Sequence, residues 1–338
     1  MYVKKSPFTH LSFVFILLTM CPITRSVARE KAAAAGTIAA PETAVLWRDP
    51  VDIASRDLFY GPGGKEHVPQ GTFTFDKEDL KGTNPKFVVR GEDGQKWKVK
   101  LGIEARPETV ASRIVWAVGY YADEDYFVSG LHVNGMPEHL HRGQKMIGPD
   151  GSVPNARLKR EDKKKTGIWR WRQDPFSGTR ELNGLKVLMA VINNWDLKDV
   201  NNAVYKEDGR DVYYVSDLGA SFGTPGRSWP PRKAKGDLDS YTQSKFIRRV
   251  TATTVDFEVP ARPRFVYWVD PKATWSRVHL GWIGRNIPRA DARWMGQLLA
   301  RLSANQIRDA FRAAGYSPEE ANAFATVMER RIAALTNL

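Results

Sequence analysis

The chain has 338 residues, 42% of them hydrophobic and 26% charged, with 51 Lys+Arg against 38 Asp+Glu. That composition excludes a disordered tail, a collagen and a many-pass membrane protein, and it leaves enough chain for one large core or two lobes. A formal charge of +13 points to an acidic partner such as a nucleotide, an anionic surface or an acidic substrate, while the single cysteine, Cys21, excludes an internal disulfide framework and a Cys-built zinc site.

Residues 1–28 read as a secretory signal. Lys4 and Lys5 supply the positive start, Leu11 to Ile23 an apolar run of thirteen residues, and Ser26-Val27-Ala28 a small-x-small cleavage pattern. Thirteen residues are short for about 30 Å of hydrocarbon, so the expectation is a cleaved signal and a periplasmic or secreted protein rather than an integral membrane protein. An uncleaved anchor competes with that reading, as does lipidation at Cys21, although Met20 before the cysteine suits a lipoprotein site poorly. Cleavage after Ala28 removes three basic residues and no acid, leaving +10 and no cysteine.

Residues 29–71 follow as a tether and extension, with a small-residue stretch at Ala32–Ala40 and a loop at Gly61-Pro62-Gly63-Gly64. The period then changes to two. Thr72–Phe75 reads as a strand, and Phe87–Arg90, Gly91-Glu92-Asp93-Gly94 and Lys96–Leu101 read as a hairpin. Pro107-Glu108 opens a helix, with Ile114, Trp116 and Val118 on its apolar side and Gly119 as its stop. Tyr126–Val133 reads as a further strand.

Arg157–Arg172 is basic and loop-rich, with eight Lys/Arg and two acids. Leu185, Leu188, Met189 and Ile192 then fall at i, i+3, i+4 and i+7, the face of a buried helix that runs into Asn193-Asn194-Trp195-Asp196. A second hairpin is expected from Asn202–Tyr205 and Asp211–Val215 around a turn at Lys206–Arg210. The last fifty residues read as helical, with Ser303 and Ser317 as N-caps and Glu319-Glu320 in the final helix's first turn.

The segment Asp196-Leu197-Lys198-Asp199-Val200-Asn201 places a Lys two residues and an Asn five residues after an Asp, and Ser216-Asp217-Leu218-Gly219 follows the hairpin. This resembles the catalytic loop and the metal-binding Asp-x-Gly of protein kinases, in the matching context of helix, loop and hairpin. Upstream, Val99-Lys100 on a strand followed by Glu108 in a helix resembles the kinase lysine–glutamate pair.

The resemblance implies an α+β fold with two lobes: a small β-rich N-lobe with one helix, assigned to 72–155, and a larger, mainly helical C-lobe, assigned to 156–338. It implies Mg2+ (or Mn2+) on Asn201 and Asp217, and ATP clamped by Lys100 with Glu108 holding the lysine. Asp196 would take the acceptor's proton and Lys198 would meet charge on the transferred phosphoryl. Lys98 shares a strand face with Lys100, and Glu104 competes with Glu108. Lys81-Gly82-Thr83-Asn84 is the candidate phosphate loop, with Gly82 and Thr83 as nucleotide contacts; a surface turn is the competing reading.

Departures from ordinary protein kinases accompany the match. Asn194-Trp195 replaces the usual His-Arg, Glu258-Val259-Pro260-Ala261 only loosely echoes the Ala-Pro-Glu motif, and no Gly-rich loop precedes Lys100. The chain is similar to atypical kinases of the secretory and phosphoinositide-kinase-like kind.

Three further sequence features carry less. His139-Leu140-His141 lacks the partners of a zinc site. Trp169-Arg170-Trp171-Arg172 fits a strand with both Trp facing the core better than a stacking platform. Arg227, Arg232, Lys233 and Lys235 follow the Asp-x-Gly where an acidic acceptor or membrane phosphates would dock. The expected function is an exported ATP-dependent phosphotransferase acting on a hydroxyl of protein, sugar or lipid headgroup, with no specific nucleic-acid partner. A kinase-fold AMP transferase and a non-catalytic basic module for anionic surfaces are the alternatives.

Overall fold

Strand formation begins where alternation begins. In the computed structural model, which describes residues 43–82, 84–224, 234–259 and 280–338, β2 (Phe73–Glu78), β3 (Lys86–Gly91) and β4 (Lys96–Lys100) form an antiparallel meander. The signal segment with Cys21, the Ala32–Ala40 stretch, Thr83, Arg227, Arg232, Lys233 and the end of the Glu258–Ala261 echo lie outside the described residues.

A seven-stranded sheet grows around that meander, with β6 (Asp125–Val128), β9 (Ala156–Arg160), β7 (Leu131–Asn134) and β8 (Ser152–Val153), in the order β6-β9-β4-β3-β2-β7-β8. Residue 156, where the sequence reading opened the second lobe, therefore begins a strand of this same sheet. The expected strand Tyr126–Val133 is two strands, because the chain turns at Ser129-Gly130 between β6 and β7.

Phe87, Val89, Trp97, Val99 and Leu158 point to one face of the sheet and form a core of their own with Tyr126 and Leu131. The opposite face carries the charged members of the alternation and looks toward α1 (Ala105–Ala117). Ile114 and Val118 are buried, as the apolar pattern required. Gly119 ends the helix at φ +94, and a Cβ there would stand 2.2 Å from the Arg48 carbonyl oxygen, so only glycine fits.

The larger core gathers α2 (Arg180–Val191), α3 (Leu238–Gln243), α4 (Arg289–Leu299), α5 (Ala304–Arg312) and α6 (Pro318–Thr336). Ser303 and Ser317 each close a full capping box, with Gln306 and Glu320 as the reciprocal partners. The expected hairpin is β11 (Asn202–Glu207) and β12 (Arg210–Val215), tighter than the sequence reading. Asp208 and Gly209 both take positive φ, 48 and 77, which a two-residue turn of this hand requires.

That hairpin sits in a second sheet with β1 (Ala44–Val45), β5 (Tyr121–Ala122) and β10 (Lys165–Gly167). A third holds β13 (Ile247–Val250), β14 (Thr254–Phe257) and β15 (Ile287–Pro288). The described part of the 29–71 extension is built into the fold: β1 pairs with β12, and Ile53 and Leu58 are buried. Trp169 and Trp171 face the core as expected, but from a turn rather than a strand. No helix among the described residues is long and apolar enough to cross a membrane.

Candidate active site

The site begins with a short connection. Only Leu101–Glu104 separates β4 from α1, so Lys100 at the strand's end meets the helix's first turns. Glu104 and Glu108, four residues apart, share one helix face. Lys100 Nζ stands 2.7 Å from Glu108 Oε2, 3.3 Å from Glu104 Oε2 and 2.5 Å from Asp217 Oδ1. The two pairs of rivals in the sequence have these partners. Lys98 points the same way but pairs with Asp79 and Glu161, and both glutamates reach Lys100.

Burial works against the Lys100 ammonium, yet Glu108, Asp217 and Glu104 together hold its pKa above the ordinary lysine range. Lys100 in turn holds the Asp217 carboxyl well below the usual carboxylate range, against burial. Burial opposes ionisation of Glu104 too, but Lys100 and Lys235 lower its pKa. Lys235 therefore faces the site, bonded to Glu104 and lying over the Trp195 ring, rather than waiting for an acceptor.

The two loops with oxygen donors are aimed by helix ends and strand ends. Helix α2 closes with Asn193 in the left-handed region, φ 54; its N–H bonds the Ala190 carbonyl and the Asn194 N–H bonds that of Met189. Those two bonds make a Schellman close, which asparagine tolerates and which redirects the chain into Trp195-Asp196. The next segment is then zipped to the Asp-x-Gly turn. Trp195 N–H donates to the Ala220 carbonyl at 3.3 Å and Phe222 N–H to that of Ile192 at 2.8 Å. Trp195 is buried, a packing role in place of the usual arginine.

Within the loop, Asn201 Nδ2 donates to the Asp196 carbonyl at 2.6 Å and Lys198 Nζ pairs with Asp196 Oδ1 at 3.0 Å. One hydrogen-bonded turn therefore binds all three polar residues of the Asp-x-Lys-x-x-Asn motif. Asp217 also sits at φ 54, at the head of the turn Leu218–Ala220. A Cβ on Gly219 would meet Glu104 Cβ at 2.7 Å, so this glycine lets α1 come down onto the Asp217 turn.

Lys100, Glu108, Asn201 and Asp217 line a cleft of about 280 Å³ between the charged face of the first sheet and β11. Asp196 and Lys198 stand outside its wall, linked to it through Asn201. Gly82 is also outside. Arg142 binds the Gly82 carbonyl, and Asn84 reaches the site by donating to Glu104 at 2.5 Å. His141 pairs with Glu78 at the surface.

Sequence reasoning missed Arg157. From β9 it lines the cleft, donates to Glu108 Oε1 at 2.8 Å and stands 3.3 Å from Asp125 Oδ1. Its one available signal was its place in a basic run, which says nothing of burial. Burial lifts the Asp125 pKa to about 7 against the pull of Arg157, with Glu108 and Asp123 adding to the rise.

Glu104, Glu108 and Asp217 bring carboxylate oxygens within 4.8 Å of one another. Lys100 lies among all three, with Lys235 on Glu104 and Arg157 on Glu108 as further cations. The donor set that suits a hard cation is Asp217, whose side chain is 44% exposed, with the Asn201 amide oxygen, since Asn201 spends its nitrogen on Asp196.

No protein-family profile and no curated protein matches the chain. Among solved structures it is similar to a Helicobacter pylori proinflammatory kinase, CtkA, with a TM-score of 0.45 and 11% identity, covering 80% of this chain and 98% of that one. It is also similar to the Golgi casein kinase, with a TM-score of 0.31 and 10% identity, covering 80% of this chain and 73% of that one. Similarity of this size carries no weight for chemistry. The side chains do.

Proposed function

We propose that the protein is an ATP-dependent phosphotransferase of kinase-like, two-lobed organisation, exported by its N-terminal segment, that phosphorylates a hydroxyl on a protein, sugar or lipid headgroup. One observation carries this reading: a strand-borne ammonium, Lys100, is held by Glu108 and Asp217 on the wall of a cleft that Asn201 also lines.

In that reading Lys100 clamps the phosphates of ATP. Asp217 and Asn201 would hold Mg2+, which neutralises phosphate charge when bound. Asp196 receives the proton as the acceptor oxygen bonds to the γ-phosphorus and the bond to the β-phosphate oxygen breaks, releasing ADP. Lys198, now paired with Asp196, supplies positive charge to the moving phosphoryl.

The test is a thermal-shift titration with Mg·ATP on wild type and Asp217→Ala. At about one hundred times the dissociation constant the ligand stabilises the folded state by about 2.7 kcal/mol. The variant is expected to lose most of that response; equal responses would overturn the assignment. Incubation with α- and γ-labelled ATP then decides the transferred group, since only AMP transfer leaves the α label on the acceptor.

A further inference from the structure

A purine ring needs apolar walls to stack on, and among the described residues lining this cleft only Val200, Ala203 and Tyr205 supply such surface, against a strand face of cations. Cross-strand register shows why. Lys86, Lys100 and Arg157 form one row across β3, β4 and β9, and Val88, Lys98 and Lys159 form the next. All six share strand parity, so the row beyond Lys100 presents two ammonium groups and a single apolar side chain. Lys163 and Lys165 add two more cations to the lining, Lys165 beside Tyr205 where β10 pairs with β11.

The lining holds seven cationic side chains against four acidic ones, Glu108, Asp123, Glu161 and Asp217. The acids are shared. Glu161 serves both Lys98 and Lys159, at 3.3 and 3.7 Å, and Asp123 serves Lys159 at 3.4 Å. Among the described residues neither Lys86 nor Lys165 joins an ion pair; Lys165 donates to the Asn202 carbonyl at 2.7 Å. Lys86 is half-buried and Lys165 exposed; desolvation with neighbouring ammonium groups depresses both pKa values, Asp79 and Asp123 only partly opposing. Like charges crowded on one wall repel one another, and a bound anion relieves that repulsion.

We infer that the cleft takes a small polyphosphorylated ligand, with a phosphate at the end remote from Asp217 where ATP has an uncharged base. The inference rests on the phosphotransferase reading only for which end holds the transferred phosphoryl. Lys100 with Asp217 and Asn201 serves that end; Lys98, Lys159 and Lys165 hold the second anion.

Isothermal titration of the full chain with three probes tests this: Mg·ATP, inositol hexakisphosphate and adenosine 3′,5′-bisphosphate. At least one phosphate-bearing probe is expected to bind about tenfold or more tightly than Mg·ATP and to be displaced by it. The arm that binds shows whether the ring between the phosphates is a polyol or a nucleoside. Lys98→Met and Lys165→Gln should each weaken that probe about tenfold while leaving Mg·ATP within about twofold. Lys165 is exposed, so its variant remains informative if Lys98→Met fails to fold.

Failure of both phosphate probes to compete with Mg·ATP would overturn the inference, as would equal losses for every probe in both variants. Failure of the phosphotransferase reading looks different: Asp217→Ala would leave Mg·ATP binding unchanged, whatever the lysine variants do.

Discussion

Lys100 Nζ stands 2.5 Å from Asp217 Oδ1 and 2.7 Å from Glu108 Oε2, so one ammonium joins the end of β4, the first turns of α1 and the turn after β12. Three elements far apart in the chain converge on a single buried charge. Removing it leaves buried Glu108 with Arg157 alone, buried Glu104 with Lys235 alone, and Asp217 without its ammonium. Breaking such a group on one side costs about 3–5 kcal/mol. Lys100→Met is expected to lower the urea midpoint accordingly, and Lys100→Met with Glu108→Gln to recover part of the loss. A Lys100→Met protein of unchanged stability would show that the ammonium does not hold these elements together.

Asp196 should matter to transfer and not to nucleotide binding, because it lies outside the cleft wall. Positioned acid–base groups contribute about 10²–10⁴ in rate. Asp196→Asn is expected to reduce kcat within that range while keeping the Mg·ATP thermal shift. Loss of nucleotide binding together with turnover would assign Asp196 to the fold of the loop instead.

Gly219→Ala tests the approach of α1 to the Asp217 turn. The added methyl would stand 2.7 Å from Glu104 Cβ and 3.0 Å from Glu104 Cγ, within the body of that side chain rather than at a flexible tip. The helix start must retreat, and Glu108 with it. We expect a fall in melting temperature together with weaker Mg·ATP binding. Unchanged nucleotide affinity would mean that the Lys100–Glu108 pair is not set by this contact.

Asp125 predicts a pH dependence. Arg157, Glu108 and Asp123 face its carboxyl, Ser112 bonds it, and Arg113 donates to its backbone carbonyl at 2.7 Å. Its folded pKa is about 7, against about 3.9 in an unfolded chain. Between those values the folded state keeps a proton that the unfolded state has lost. Through this group, stability therefore falls as pH rises from about 4 to about 7. Asp125→Asn should flatten that slope in urea denaturation series. An identical slope in the variant would place the titration elsewhere.

Several pieces of the fold were legible because their cause is local. The capping boxes at Ser303 and Ser317, the hairpins and the left-handed glycine after α1 all follow from backbone chemistry within a few residues. The Asp-x-Lys-x-x-Asn turn belongs with them, since Asn201 binds the carbonyl of Asp196 five residues away. The β6–β7 break was missed because both strands are apolar enough to read as one. The bond from Arg142 to the Gly82 carbonyl was not legible because the two residues lie sixty positions apart.

Residue types and spacing alone determined the kinds of chemistry available: a loop with base, ammonium and amide, an Asp-x-Gly turn, and lysines and glutamates where a strand meets a helix. Only the tertiary structure paired Lys100 with Asp217 and Lys98 with Asp79 and Glu161, brought Glu104 and Glu108 onto the same ammonium, added Arg157 and lined the cleft with ammonium groups. Strand parity says which side chains share a face, but cross-strand pairing decides which of them meet, and that pairing is made between residues the chain itself keeps far apart.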